Sequence, residues 1–392
     1  MSTAFIIAEY NPFHSGHRYQ IEKTKEITGC DSVAIIMSGS MVQRCEPSLL
    51  SKWQRAQCAV EGGADIVFEL PFPFSSMSAN GFASATIHLA NMTGLEGFLS
   101  FGSESGDIDR LKSFCQELHS KGQSEKIKEA LSQGKSYANA LGNSLSADKL
   151  DKSNDILAVE YLYELEKQNS VLEPITVLRK NAQHIEEGIN EGFASASYIR
   201  RLINQWDESY KEALPDFVAH KIEKQKKEGF LISSMEKMQR AVLYKLQNMD
   251  AQSLNEILDI SEGLEYRMIS ALSKAQSLDE LYALIKTKRY TMSRIRRIVL
   301  FSFFEIDKAY LNRKPDYLKV LAFNDKGREL LKQMKKTATL PVITKPADGR
   351  KELTSTLVFD AESRATEFAS MCSDKINISL NDLKSSPIYV IS

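Results

Sequence analysis

Five short, mostly apolar runs in the first 180 residues, too far apart to be joined by hairpins, constrain the fold more than any other feature. They are Thr3–Ala8, Ser32–Met37 (SVAIIM), Asp65–Leu70 (DIVFEL, stopped by Pro71), Gly97–Phe101 and Ile175–Arg179. Their length and their β-branched and aromatic content mark them as strands. Between them, His17 to about Thr28, Lys52–Glu61 and the Ala/Ser-rich Ser78–Asn91 carry helical apolar spacing. Strands alternating with helices in this way indicate βαβ units and a parallel sheet, hence an α/β fold. Ligands of such sheets bind where strands end and helices begin.

After about Asn204 the texture changes. Phe217–Leu246 reads as one long charged helix, followed by helical segments at Leu254–Ile260, Gly263–Ala275, Ser277–Ile285 and Ser293–Glu305. Short β elements are expected at Leu340–Thr344 and Ile388–Ile391. The division this implies is a catalytic domain over residues 1–205 and an α-rich domain over 206–392. Charge divides at the same place: 19 Lys+Arg against 25 Asp+Glu before it, 31 against 26 after it. A mildly basic second half could be drift in composition, or a surface that meets a polyanion.

The whole chain carries a net charge of −1, so it is not a polycation that coats nucleic acid. No apolar run approaches the roughly 18 residues of a membrane span, and the N-terminus lacks the features of a secretory signal. Cys30, Cys45, Cys58, Cys115 and Cys372 are odd in number, scattered and without a C-x-x-C pair. That argues against a disulfide framework or a thiolate metal site. The expectation is a cytoplasmic protein.

Among phosphate-binding motifs, the dinucleotide fingerprint G-x-G-x-x-G is absent. Gly134-Lys135-Ser136 lacks the preceding glycine of a P-loop, since Glu129 stands there. What remains is the segment Ile7-Ala8-Glu9-Tyr10-Asn11-Pro12-Phe13-His14-Ser15-Gly16-His17, a strand running through an Asn-Pro turn into a helix. Two imidazoles three residues apart share one side of the first turn. The free N–H groups and the positive dipole end face the same way. Such a site can donate hydrogen bonds to a phosphate as charge builds on its oxygens. A metal pair is conceivable at this spacing, but no third ligand suggests itself. Ala194-Ser195-Ala196-Ser197-Tyr198-Ile199-Arg200 offers two hydroxyls at a helix start with Arg200 beyond, either a second phosphate contact or a plain N-cap.

His14-Ser15-Gly16-His17 resembles the H-x-G-H signature of the nucleotidyltransferase superfamily, and Ala194–Arg200 resembles its second motif, near I-S-S-T-x-I-R. The likeness narrows with Glu9–His14, Met37-Ser38-Gly39, Gln43-Arg44, Glu46-Pro47, Glu69-Leu70-Pro71 and Phe101-Gly102-Ser103-Glu104. Thr287-Lys288-Arg289-Tyr290-Thr291 and Val320-Leu321-Ala322-Phe323-Asn324 continue it to the second half. In this order the segments resemble the bacterial tRNA(Met) cytidine acetate ligase family, across essentially the whole chain. The resemblance implies a nucleotidyltransferase (Rossmann-like) parallel sheet with an α-rich C-terminal domain. It implies activation of acetate by ATP to acetyl-adenylate plus pyrophosphate, with Mg²⁺ expected. The acetyl group then passes to N4 of the wobble cytidine of elongator tRNA(Met).

By the same resemblance, ATP contacts fall on Ile7, Ala8, Glu9, Tyr10, Asn11, Pro12, Phe13, His14, Ser15, Gly16, His17, Arg18, Tyr19 and Gln20, on Gly102, Asn154 and Arg179, and on Ser195 and Ser197. His14, His17 and Arg200 take the catalytic roles. No resident metal ligands are implied. Cys45 stands where the family pattern leads one to expect Gly, and Tyr266 where one expects Asn, so the loop around Cys45 is expected to differ in backbone conformation.

Lys286–Phe301 (KTKRYTMSRIRRIVLF) holds six basic residues and no acid. With Ser293 as cap, Ile295, Ile298 and Val299 form a buried stripe. Lys286, Lys288, Arg289, Arg294, Arg296 and Arg297 are then candidates to bind tRNA, with Tyr290 available for stacking. Two other readings compete: an adenylyltransferase acting on a small phosphate-bearing substrate, and a non-catalytic tRNA-binding protein.

Overall fold

The computed structural model describes residues 2–119, 152–180, 188–232, 234–261 and 263–391; Gly134-Lys135-Ser136 lies outside them. The five apolar runs form β1 (Thr3–Ala8), β2 (Ser32–Ser38), β3 (Ile66–Leu70), β4 (Gly97–Ser103) and β5 (Glu173–Leu178), all parallel to one another. Between and after them run α1 (Ser15–Thr28), α2 (Lys52–Glu61), α3 (Ala79–Met92), α4 (Ile108–His119), α5 (Ser153–Lys167) and α6 (Ala196–Asn204). The order across the sheet is β5-β4-β1-β2-β3. The chain steps outward from β1 to β3, then returns to the other side of β1 for β4 and β5. A crevice therefore opens at the carboxyl end of β1, where the strand order reverses.

Register follows side-chain alternation. Ile6 lies beside Ile35, and Phe5 lies between Ala34 and Leu99. Ile6, Val33, Ile35 and Val67 pack on one face with residues of α1 and α2, while Phe5, Ile36, Phe68 and Leu99 pack on the other with α3 and α5. Each fully buried large apolar side chain contributes about 1.5–3 kcal/mol. Buried on both faces, these strands read as near-continuous apolar runs.

The sheet does not end at residue 205. A strand absent from the sequence reading, β6 (Leu318–Phe323), pairs antiparallel with β3. The two expected short elements, β7 (Val342–Ile343) and β8 (Ile388–Tyr389), lie parallel to it. Lys319 interrupts the apolar pattern of β6 yet is buried. It shares an ion cluster with Lys52, Glu69 and Asp382, and Lys52 Nζ is 2.5 Å from Glu69, 2.9 Å from Glu362 and 2.8 Å from Asp382. Buried charges persist only when paired in this way.

The α-rich block contains α7 (Asp216–Glu228), α8 (Gln239–Gln247), α9 (Ala251–Glu256), α10 (Leu264–Leu272), α11 (Leu278–Ile285) and α12 (Met292–Phe304). Beyond them, α13 (Asp325–Thr337), α14 (Pro346–Glu352) and α15 (Leu357–Met371) return to the sheet. The single helix expected over Phe217–Leu246 is in fact two. Gly229 ends α7 in the left-handed conformation, φ 80°, and a 3₁₀ turn at Met235–Met238 starts the next. Thr291, not Ser293, caps α12, its hydroxyl accepting from the Arg294 N–H. The predicted stripe Ile295, Ile298 and Val299 is fully buried.

Candidate active site

Beyond Ala8 the chain turns through Tyr10, at φ 50°, and a cis Asn11-Pro12 bond, then enters α1 with His14 as its N-cap. The cap is reciprocal. His14 Nδ1 accepts the Gly16 N–H at 3.1 Å, and His17 Nδ1 accepts the His14 N–H at 3.2 Å. With both Nδ1 atoms accepting, each neutral ring carries its proton on Nε2. The rings stack with centroids 3.6 Å apart, and Tyr10 packs edge-on against His17 at 4.7 Å. Burial holds His14 at about 3, helped by the charges of Arg179 and Arg200. Burial, then His14 and Arg179, pushes His17 down as well. Both are therefore neutral near pH 7: they offer aimed N–H donors rather than positive charge.

Gly16 has a reason beyond an approaching ligand. A Cβ there would stand 2.9 Å from His14 Cε1 and 3.1 Å from Nδ1, so the cap itself requires glycine. The turn is braced from below. Asn11 Oδ1 accepts the Leu49 N–H at 2.8 Å, and the buried Arg55 guanidinium donates to the carbonyls of Glu9, Ser38 and Gly39. Arg200, from α6, donates to the Asn11 carbonyl at 2.7 Å.

These groups open on a cavity of about 410 Å³. Ile7, Ala8, Glu9, Tyr10, Asn11, His14, Gly16, His17, Tyr19 and Gln20 line it, and so do Gly102, Asn154 and Arg179. Segments distant in sequence thus meet on one cavity. Pro12, Phe13, Ser15 and Arg18 are not on its wall: Phe13 is buried, Ser15 donates to the Ala213 carbonyl and Arg18 pairs with Glu22. Ser195, Ser197 and Arg200 also lie off the wall, where Ala194, just before α6, and Ala196, its first residue, stand instead. Ser195 caps α6, accepting the Tyr198 N–H at 3.1 Å.

Asn154 is not a helix cap, since Lys152 holds that position; Asn154 Nδ2 donates to Glu104. Gly102 lets the Arg179 stem lie across it, with Cγ 3.4 Å from where a Cβ would be. Sequence reasoning gave no role to Arg44, Lys180, Phe82, Phe101, Tyr161 or Phe193, which also line the wall. The Lys180 ammonium sits over the Tyr19 ring at 4.5 Å and over Phe193 at 5.3 Å. Cys45 stands at φ 60°, the conformation glycine favours, with its side chain buried.

The basic segment is more engaged than its composition suggests. Arg294 donates to the Asp259 carbonyl and Ser261, Arg297 pairs with Asp259, and Arg296 reaches across to Glu46 at 2.9 Å. Tyr290 is buried with the Arg294 guanidinium 5.3 Å from its ring centre, so it is not free to stack on a base. Lys286 and Lys288 are exposed.

A strand–turn–helix site at the switch point of a parallel sheet, with two histidines in a reciprocal cap, is the arrangement of a nucleotidyltransferase-type protein. The family model for HIGH Nucleotidyl Transferase matches residues 1–383. A tRNA(Met) cytidine acetate ligase of Thermoanaerobacter sp. (strain X514) is 37% identical over 377 residues, covering 92% of this chain and 93% of that protein. The protein of the same name from Clostridium novyi (strain NT) is 35% identical over 407 residues and covers 100% of both. The crystal structure of Thermotoga maritima TmcAL bound with alpha-thio ATP superposes over 100% of both chains with a TM-score of 0.91 at 31% identity. The chain belongs to the HIGH nucleotidyltransferases and, within them, to the tRNA(Met) cytidine acetate ligase family.

Proposed function

We propose that this protein is a cytoplasmic ligase that activates acetate with ATP and transfers the acetyl group to N4 of the wobble cytidine, C34, of elongator tRNA(Met). The observation that carries the reading is the reciprocal His14–His17 cap. It leaves two Nε2–H donors on a cavity that also holds Gly102, Asn154 and Arg179. ATP lies with its nucleoside toward those three residues and its α-phosphate at the start of α1. Acetate attacks the α-phosphorus and pyrophosphate leaves. Charge growing on the phosphate oxygens is met by the two imidazole donors and the helix N-terminus. Arg200 fixes the turn through the Asn11 carbonyl, and Ser195 and Ser197 sit on α6 next to the wall for the outer phosphates.

Among the described residues no group of three His, Cys, Asp or Glu could hold a metal ion. Mg²⁺ would enter this site with ATP, and the chemistry it would supply is neutralisation of phosphate charge. Residues 1–205 carry the ATP chemistry, and the tRNA-binding face belongs to residues 206–392, although the sheet is shared between them. No helix among the described residues is long and apolar enough to cross a membrane.

The test is pyrophosphate release from ATP with acetate, with and without unmodified elongator tRNA(Met), followed by mass analysis of the tRNA. Acetate-dependent release and one acetyl mass on the anticodon cytidine are expected. Pyrophosphate release that ignores acetate would overturn the reading in favour of an adenylyltransferase.

A further inference from the structure

Among the described residues lining the cavity, Glu9 is the one carboxylate. It is an unexpected group in a space that receives ATP and acetate, both anions. Its position is set from two sides. Oε1 accepts the Gln43 N–H at 2.8 Å, and the Glu9 carbonyl is gripped by Arg55. No described residue donates to Oε2. Tyr161, Phe82 and Phe101 line the same cavity as an aromatic wall. A fixed carboxylate with an open oxygen is a receptor for an N–H donor.

The sheet order says which donor. Gly102 and Arg179 lie on the β4–β5 side of β1, whereas Gln43 and Arg44 follow β2 on the other side. The loop that tethers Glu9 is also the one that meets α12, through Glu46 and Arg296. The Glu9 carboxylate is thus tied to the loop that reaches α12, in the half of the protein assigned to tRNA. Cytosine presents an exocyclic N4 amine, for which a carboxylate is the matching acceptor.

Building on the function proposed above, we propose that Glu9 is the catalytic residue that receives the N4 amine of the acceptor cytidine. Its open oxygen accepts one N4–H and aims the nitrogen at the acetyl carbonyl of the adenylate. As the C–N bond forms, the carboxylate takes that proton. The tetrahedral intermediate then collapses with cleavage of the bond between the acyl carbon and the phosphate oxygen. AMP leaves with the electron pair, and Glu9 returns its proton to solvent. The first step, acetate attacking ATP, transfers no proton and has no use for this carboxylate.

Two assays on the full-length protein separate the steps. Hydroxylamine traps acetyl-adenylate as acetohydroxamate without needing an enzymic base; single-turnover acetylation of tRNA(Met) reports the transfer. Glu9→Gln keeps the acceptor oxygen for Gln43. Its ratio of tRNA acetylation to hydroxamate formation is expected to fall about 100-fold or more below that of wild type. Glu9→Asp, which retains a base one methylene short, is expected to recover part of that loss. Loss of both activities in Glu9→Gln would assign Glu9 to ATP or its metal and overturn the proposal. Retention of both, or an Asp variant no better than Gln, would overturn it as well. Wild-type protein that makes no acetate-dependent hydroxamate would instead bring down the acetate reading itself.

Discussion

Replacing Gly16 with Ala separates the capping geometry from the stability of the fold. The new Cβ would lie 2.9 Å from His14 Cε1. The ring has little room to retreat, because it stacks on His17 at 3.6 Å and holds the Gly16 N–H. It must tilt, taking its Nε2–H with it. For stability two effects oppose each other. Alanine in a helix gains about 1 kcal/mol over glycine, while a weakened N-cap costs about 0.5–2 kcal/mol. The net change is within about 1 kcal/mol, a shift in Tm of no more than about 4 °C. For catalysis nothing compensates. Displacing one aimed donor costs about 100- to 1,000-fold, or about 2.7–4 kcal/mol at the transition state. Acetate-dependent pyrophosphate release, measured beside a thermal melt, therefore shows a folded and nearly inactive variant. A rate within threefold of wild type would refute the argument that His14 must occupy its observed position. A melt lowered by more than about 10 °C would refute the account of the cap.

Two further outcomes follow from the same geometry. His14, held at about 3, stays a neutral Nε2–H tautomer as pH falls from 7 to 5, and ¹⁵N shifts that reveal an imidazolium at pH 5.5 would contradict this. The unfolded chain protonates that ring near pH 6.5 and the folded chain only near 3. Its contribution to stability is therefore present above pH 6.5 and is lost progressively as pH drops toward 3. On the basic segment, Lys288→Glu weakens tRNA binding and lowers the salt slope by about 1 without changing the melt. Arg297→Glu instead lowers the melt, since Asp259 then faces a carboxylate; filter binding across a salt series, with melting curves, distinguishes the two.

The strands of the first half were legible because burial on both faces writes itself into sequence as unbroken apolar runs: Ser32–Ser38 is buried at every position. The strand β6 was not legible. Lys319 breaks its pattern, and the reason a lysine is tolerated there lies in Glu69 and Asp382, which are 250 residues before it and 63 after it. The long helix expected at Phe217–Leu246 failed on a local signal that was present. Gly229 marks the stop, but the charged, helical texture on both sides of it hid the break. In the basic segment the sequence shows how many cations there are, but not where they point. Arg297 and Arg294 are taken up by Asp259, a residue no spacing rule connects to them.

The site divides along the same physical line. The H-x-G-H turn is readable because everything it needs is within four residues: two caps, a glycine that clears the ring, and donors fixed by the backbone they hold. Gly102, Asn154 and Arg179 have no such local logic, and only the family pattern connected them to the cavity before the fold did. Glu9 is the sharper case. As part of a contiguous phosphate-binding loop it looks like one more ATP contact. Folding adds what the loop alone lacks, which is a tether from Gln43 and a contact between that tethering loop and α12. A carboxylate gains its meaning from the charges around it. In a cavity lined by Arg44, Arg179 and Lys180, the one fixed negative group among the described lining residues is best matched by the substrate that arrives carrying an amine.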